Sequence, residues 1–114
     1  VIYDPVGDNF SEPALRSIAW EGRYLVVGFA AGSIPKIPLN LVLLKGCQIV
    51  GVFWGAFFRK HPRSNAKNFK TLLHWIKEKK LNVYIDKKFN LNEASKALNY
   101  IMERKVKGKI ILKP

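Results

Sequence analysis

Three short apolar runs, residues 1–4, 23–27 and 47–53, each lead straight into a turn of glycine and small residues: Val6-Gly7-Asp8, Gly28-Phe29-Ala30-Ala31-Gly32 and Trp54-Gly55-Ala56. Helix-like segments separate the runs. Strands spaced in this way are joined by crossovers, which are right-handed, so they lie parallel in one sheet and send all three turns to the same rim. The second run, Tyr24-Leu25-Val26-Val27, has no polar alternation, as expected of a strand covered on both faces. Ligands of open α/β sheets sit on that rim. The pattern predicts an α/β fold that handles a nucleotide.

The segments between the strands carry helix signals. Ser11-Glu12-Pro13 opens a helix, with Ser11 as the cap, Glu12 suited to the dipole and Pro13 tolerated in the first turn. Ala14, Leu15, Ile18 and Ala19 form its apolar face, and Gly22 supplies the left-handed residue that ends it. Gly32, Pro35 and Pro38 keep residues 30–38 irregular, and a short apolar helix over 39–44 stops at Gly46. Arg59-Lys60-His61-Pro62-Arg63 reads as a basic link at a structural boundary. Beyond it the spacing predicts an amphipathic helix over 66–80, with Phe69, Leu72, Leu73 and Ile76 on one side and lysines opposite, then a short strand over 83–85. Asn90 and Glu93 form a capping box before Ala94, Ala97, Leu98, Ile101 and Met102, and a strand over 109–112 closes the chain.

Composition narrows the function. With 114 residues, 48% of them hydrophobic, the chain can build one modest core. It opens mid-strand at Val1 with no leader, so it is expected to be a piece of a longer protein. The single cysteine, Cys47, excludes an internal disulfide and suits a reducing, cytoplasmic setting. Residues 37–58 are nearly all apolar, but Asn40, Lys45 and Gln48 interrupt them, and the unbroken part is about half the ~20 residues of a spanning helix. No membrane span is expected. The net charge of +12 invites a nucleic-acid partner. The basic residues are nevertheless spread along the chain, lysine dominates, and there is no aromatic-basic ladder for stacking bases, so the reading is a solvated surface and no nucleic acid. A basic nucleic-acid module and a doubly wound nucleotide domain of another class remain as alternatives.

No catalytic constellation is visible. His61 and His74 stand alone, metal-ligand spacing is absent, and Gly51-Val52-Phe53-Trp54-Gly55 lies within a strand and opens no helix, so it is no dinucleotide fingerprint. The rim remains. Turn amides and carbonyls can pair with a flat amide such as the carboxamide of nicotinamide, with Phe29, Phe53 or Trp54 against the ring. The same glycines also serve simply to turn the chain, and the residues alone leave both readings open.

Four stretches carry a resemblance: Val1-Ile2-Tyr3-Asp4-Pro5-Val6-Gly7, Arg23-Tyr24-Leu25-Val26-Val27-Gly28-Phe29-Ala30-Ala31-Gly32, Ile34-Pro35-Lys36-Ile37-Pro38-Leu39-Asn40 and Gly51-Val52-Phe53-Trp54-Gly55. Leu91-Asn92-Glu93-Ala94 and Lys107-Gly108-Lys109-Ile110-Ile111-Leu112 extend it to the end of the chain. Together they resemble the quinone oxidoreductase branch of the medium-chain dehydrogenase/reductase superfamily. The resemblance implies that residues 1–57 are the second, C-terminal half of a Rossmann-type parallel sheet. Residues 58–114 would then be a helix-strand segment returning to a GroES-like catalytic domain. It further implies a zinc-independent, NADPH-dependent oxidoreductase that passes hydride to a quinone or a conjugated carbonyl (enone). By position, Val6, Gly7 and Asp8 would lie near the cofactor ribose, and Gly28, Phe29, Ala30 and Ala31 near the nicotinamide. Val52, Phe53 and Trp54 would meet the carboxamide, and Lys109 the pyrophosphate. The family also implies a homodimer through the strand Ile49-Val50-Gly51-Val52-Phe53. The phosphate loop and the catalytic residues would lie upstream, so this chain alone is expected to be inactive.

Overall fold

In the computed structural model, which describes residues 1–114, the strands β1 (Ile2–Asp4), β2 (Arg23–Val26) and β3 (Gln48–Gly51) pair in parallel in the order β1-β2-β3. The register sets Ile2 beside Tyr24 and Tyr24 beside Ile49, so these side chains share one face of the sheet. Helices α1 (Ser11–Arg16) and α2 (Leu39–Lys45) pack on that face, where Leu15, Ile18, Tyr24 and Leu41 are buried with Ile2, Val26, Val42 and Cys47 around them. Fully burying an aliphatic side chain such as Leu15 or Leu41 contributes roughly 2 kcal/mol. The opposite face, with Tyr3, Leu25 and Val50 in register, carries no such cover: Tyr3 is 65% exposed. The apolar character of β2 on both faces therefore meets a helical layer on one face only in this unit.

Several local elements differ from the sequence reading. The helix after β1 stops at Arg16, and the left-handed residue beyond it is Glu21 (φ 57) in place of Gly22. Gly22 is required for close approach instead, because a Cβ there would fall 2.6 Å from Ile18 Cγ1. Gly46 ends α2 as predicted, and it is this glycine that takes the left-handed conformation. Strand β3 stops two residues early. The Val52 amide donates to Val26 O at 2.8 Å, after which Phe57 N donates to Phe53 O at 3.1 Å and the chain coils into α3 (Trp54–Lys60). The spaced-glycine segment thus does open a helix, and the basic link shrinks to His61. The chain divides there into two units, Val1–His61 and Pro62–Pro114.

In the second unit α4 (Pro62–Lys77) begins earlier than its apolar periodicity suggests, because proline in the first turn needs no donor and has its φ preset. It ends with Lys80 N and Leu81 N both donating to Trp75 O. Strand β4 (Ile85–Asn90) lies later than the predicted 83–85 and pairs in parallel with β5 (Lys109–Lys113), with α5 (Ala94–Met102) between them. Polar Asp86-Lys87-Lys88 hid this strand; the Asp86 carboxylate is satisfied by Tyr100 Oη at 3.2 Å and Lys107 N at 3.3 Å. The capping box of Asn90 and Glu93 is present, with Asn90 N donating to Glu93 Oε2 at 3.2 Å. No helix is long and apolar enough to cross a membrane.

Candidate functional site

Parallel pairing with Asp4, Val26 and Gly51 in register makes the three strands leave the sheet together. The first two turns are then joined by main-chain hydrogen bonds. Val27 N and Gly28 N donate to Asp4 O at 2.9 and 3.3 Å, Ala30 N to Pro5 O at 3.1 Å, and Ala31 N to Val6 O at 2.9 Å. This changes the sequence-based expectation for ligand contact. The amides of Gly28, Ala30, Ala31 and Val52 are already engaged, so these turns offer a ligand carbonyl oxygens, ring surface and open space.

Asp4 is the hub of the rim. Its Oδ1 accepts from Val6 N at 2.8 Å and Gly7 N at 2.9 Å; its Oδ2 accepts from Ser11 Oγ at 2.9 Å and from the Tyr24 hydroxyl. Burial pushes the carboxyl pKa up, but the donors, Tyr24 foremost, outweigh it and hold the group down at about 2 against the usual 3.8. Burial and the neighbouring Asp4 push the Tyr24 hydroxyl up. The pair is therefore carboxylate and neutral phenol at neutral pH. Ser11, expected as a helix cap, makes no capping bond; its hydroxyl is buried and spent on Asp4. The sequence did carry a signal for this hub, since an Asp before Pro-x-Gly can turn its side chain back onto the amides two and three residues on.

Gly7 has φ 73 and ψ −150, a region open essentially to glycine alone, and a Cβ there would lie 2.7 Å from Phe29 Cδ1. The Phe29 ring thus rests against the first turn. Between the second and third turns lies a cleft of about 300 Å³ lined by Val26, Val27, Gly28, Phe29, Gly51, Val52 and Phe53. Nothing stands within 4 Å of where a Gly51 Cβ would sit. Of the expected site residues, Gly28, Phe29, Val52 and Phe53 therefore converge on one cleft. Gly7 borders it through Phe29, whereas Val6, whose carbonyl accepts from Ala31 N, lines a separate hollow of about 340 Å³ with Ile2, Tyr3 and Phe10, and Asp8 lines another of about 470 Å³ with Ser33 and Lys36. Trp54 lines a groove of about 890 Å³ with Tyr3, Phe57 and His61. Lys109 belongs to the second unit, where its amide donates to Tyr84 O at 2.9 Å.

The model of the zinc-binding dehydrogenase family matches residues 1–112. This chain belongs to that family. A quinone oxidoreductase-like protein 2 homolog from Nematostella vectensis is 37% identical over 98% of this chain and 31% of its own length, and the quinone oxidoreductase-like protein 2 of Bos taurus is 36% identical over 98% and 32%. The chain thus spans about a third of the length of the curated relatives it matches. A Pseudomonas syringae quinone oxidoreductase superposes with a TM-score of 0.82 at 24% identity, and a mycobacterial protein solved with NADPH with 0.85 at 23%; each match covers 98% of this chain and 34% of the other. These structures share its mixed α/β, Rossmann-type architecture. Despite the family's name, the residues here do not fit zinc: no three His, Cys, Asp or Glu side chains gather, His61 stacks on Phe57 at 5.1 Å, and His74 pairs with Glu78 at 3.0 Å.

Proposed function

We infer that this chain supplies the nicotinamide-side rim of a zinc-independent NADPH-dependent oxidoreductase that reduces a quinone or conjugated carbonyl. The observation that carries this reading is the delivery of three parallel strand ends to one edge, with an open glycine-floored cleft between the second and third turns. Residues 1–57 act as the second half of the cofactor domain, and residues 58–114 return to a GroES-like catalytic domain. A flat ring suits the cleft, because the bare Gly51 leaves room and the Phe29 and Phe53 rings flank it.

When bound, the reduced nicotinamide supplies the hydride. The chain's own part is positional. The carbonyls around Gly28 and Val52 accept the carboxamide N–H groups and fix which face of the ring is presented, while Phe29, Phe53 and Trp54 exclude water from it. Val6, Gly7 and Asp8 approach the ribose, Ala30 and Ala31 hold the second turn against the first, and Lys109 reaches the pyrophosphate. The catalytic groups lie outside this chain. In the same reading the unpaired outer edge of β3 is covered by a second copy, giving a homodimer through Ile49 to Phe53. The half-buried thiol of Cys47 fits a cytoplasmic setting.

The test is NADPH oxidation, followed by absorbance, with the full-length protein and a panel of quinones, enones and saturated ketones. The reading expects turnover with a quinone or an enone and none with the saturated ketones. Turnover restricted to saturated carbonyls, or no NADPH oxidation at all, contradicts it.

A further inference from the structure

Charge is not shared evenly between the two units. Residues 62–114 carry 14 Lys and Arg against 4 Asp and Glu, a net charge of +10, whereas residues 1–61 carry 6 against 4. The basic residues that look spread along the sequence thus belong largely to one unit. Within it, α4 contains no Asp or Glu, and Arg63, Lys67, Lys70, His74 and Lys77 recur at intervals of four, three, four and three residues. At 3.6 residues per turn and 1.5 Å per residue, that spacing lays them in a line within an arc of about 80°, along about 21 Å of helix. The line borders the apolar arc of Phe69, Leu72, Leu73 and Ile76 along one edge; Ser64, Asn68 and Trp75 beyond the other edge are uncharged.

None of the acids of this unit pairs with the four Lys and Arg of the row: Glu78 meets His74 and Lys80, Asp86 meets Tyr100 and the Lys107 amide, Glu93 meets Lys96, and Glu103 meets Lys105. Arg63, Lys67, Lys70 and Lys77 are exposed and form no salt bridge. A row of uncompensated cations is the complement of a row of phosphates.

We propose that the cationic row Arg63-Lys67-Lys70-Lys77 on α4 binds the phosphate backbone of a single-stranded nucleic acid without reading its sequence. A flexible strand can follow a straight row of cations, while a rigid duplex curves its phosphates away from one. The row carries no aromatic partners of the kind that stack bases, so affinity is electrostatic. A membrane surface fits less well. A helix lying in a bilayer interface sinks its apolar face with its charge turned outward, and here the charge is gathered along a single edge of that face. The proposal is independent of the hydride-transfer reading, since it uses neither the rim nor the cofactor.

The experiment titrates the full-length protein into a fluorescein-labelled oligouridylate of about 20 nucleotides, by anisotropy, over a salt series. Four phosphate contacts give a slope of log K against log salt of about −3, and so about 50-fold weaker binding at 200 mM than at 50 mM salt. Arg63→Gln/Lys67→Gln/Lys70→Gln/Lys77→Gln should bring the slope close to zero, and Lys67→Gln/Lys70→Gln should remove about half of it. A control with the same loss of charge, Lys88→Gln/Lys96→Gln/Lys105→Gln/Lys113→Gln, should bind within about threefold of the parent if the row and not net charge is responsible. Equal losses in the α4 and control variants, no binding at low salt, or binding to phosphatidylserine vesicles but not to the oligonucleotide would overturn the proposal.

Discussion

Asp4→Ala is expected to lower the stability of the protein by about 3 kcal/mol, because it removes the acceptor of four donors at once and strands the buried Ser11 hydroxyl and the Tyr24 phenol. Asp4→Asn keeps the shape and loses the charge, so its cost should be nearer 2 kcal/mol, the order implied by a carboxyl held at about 2 against 3.8. The two variants differ in a further way that urea unfolding at several pH values can read. A carboxyl whose pKa is lowered by folding stabilises the protein above its unfolded value and loses that contribution as pH falls. The difference between wild type and Asp4→Asn should accordingly be full above about pH 4 and fade as pH falls toward 2. On the alkaline side the sign reverses. Tyr24 is raised by burial and by Asp4, so its contribution is complete below the ordinary tyrosine value and lost as pH climbs beyond it. A pH-independent gap between wild type and Asp4→Asn would show that Asp4 is not the ionised hub described above.

Gly7→Ala is the second large effect. The methyl group would enter a backbone region that only glycine adopts comfortably and would press on Phe29 Cδ1 at 2.7 Å and Phe29 Cα at 3.3 Å. Strain and overpacking together should cost about 3 kcal/mol. Because the Phe29 ring also lines the cleft, the same change should weaken NADPH binding by the full-length protein at least about tenfold. Adding Phe29→Ala removes the collision with the ring but leaves the backbone strain, so the double variant should recover about half of the lost stability. Full additivity of the two substitutions in thermal unfolding would mean that the first two turns are not packed on one another.

The parts of this architecture that were legible in the sequence are those written in long-range pattern. Three apolar runs separated by helical segments favour parallel pairing, which the sheet adopts, and the capping box at Asn90 and Glu93 and the stop at Gly46 are local signals with one meaning. What escaped was decided by contacts between distant residues. Ser11 has the chemistry of a helix cap, but Asp4, seven residues earlier, outcompetes the helix for its hydroxyl. Residues 53–58 form an apolar run too short for its period to separate strand from helix, so the sequence suggests a strand end, the turn Trp54-Gly55-Ala56 and a basic link where α3 forms. Polar Asp86-Lys87-Lys88 carries no strand signal, so the predicted strand stops at residue 85; its pairing with β5 and its acceptor role toward Tyr100 depend on residues that arrive later in the chain. At the candidate site the glycine turns were evident, while the engagement of their amides with one another was not, and that engagement limits what a ligand can find there.

If the ends of the three parallel strands form one nicotinamide-binding edge, NADPH must lie along it in the full-length protein. A crystal structure of the full-length protein with NADPH tests it most directly. The nicotinamide ring is expected in the cleft between the second and third turns, within about 4 Å of Phe29 and Phe53, with its carboxamide on main-chain carbonyls near Gly28 and Val52. A nicotinamide bound away from these turns, with the cleft left to solvent, would contradict it.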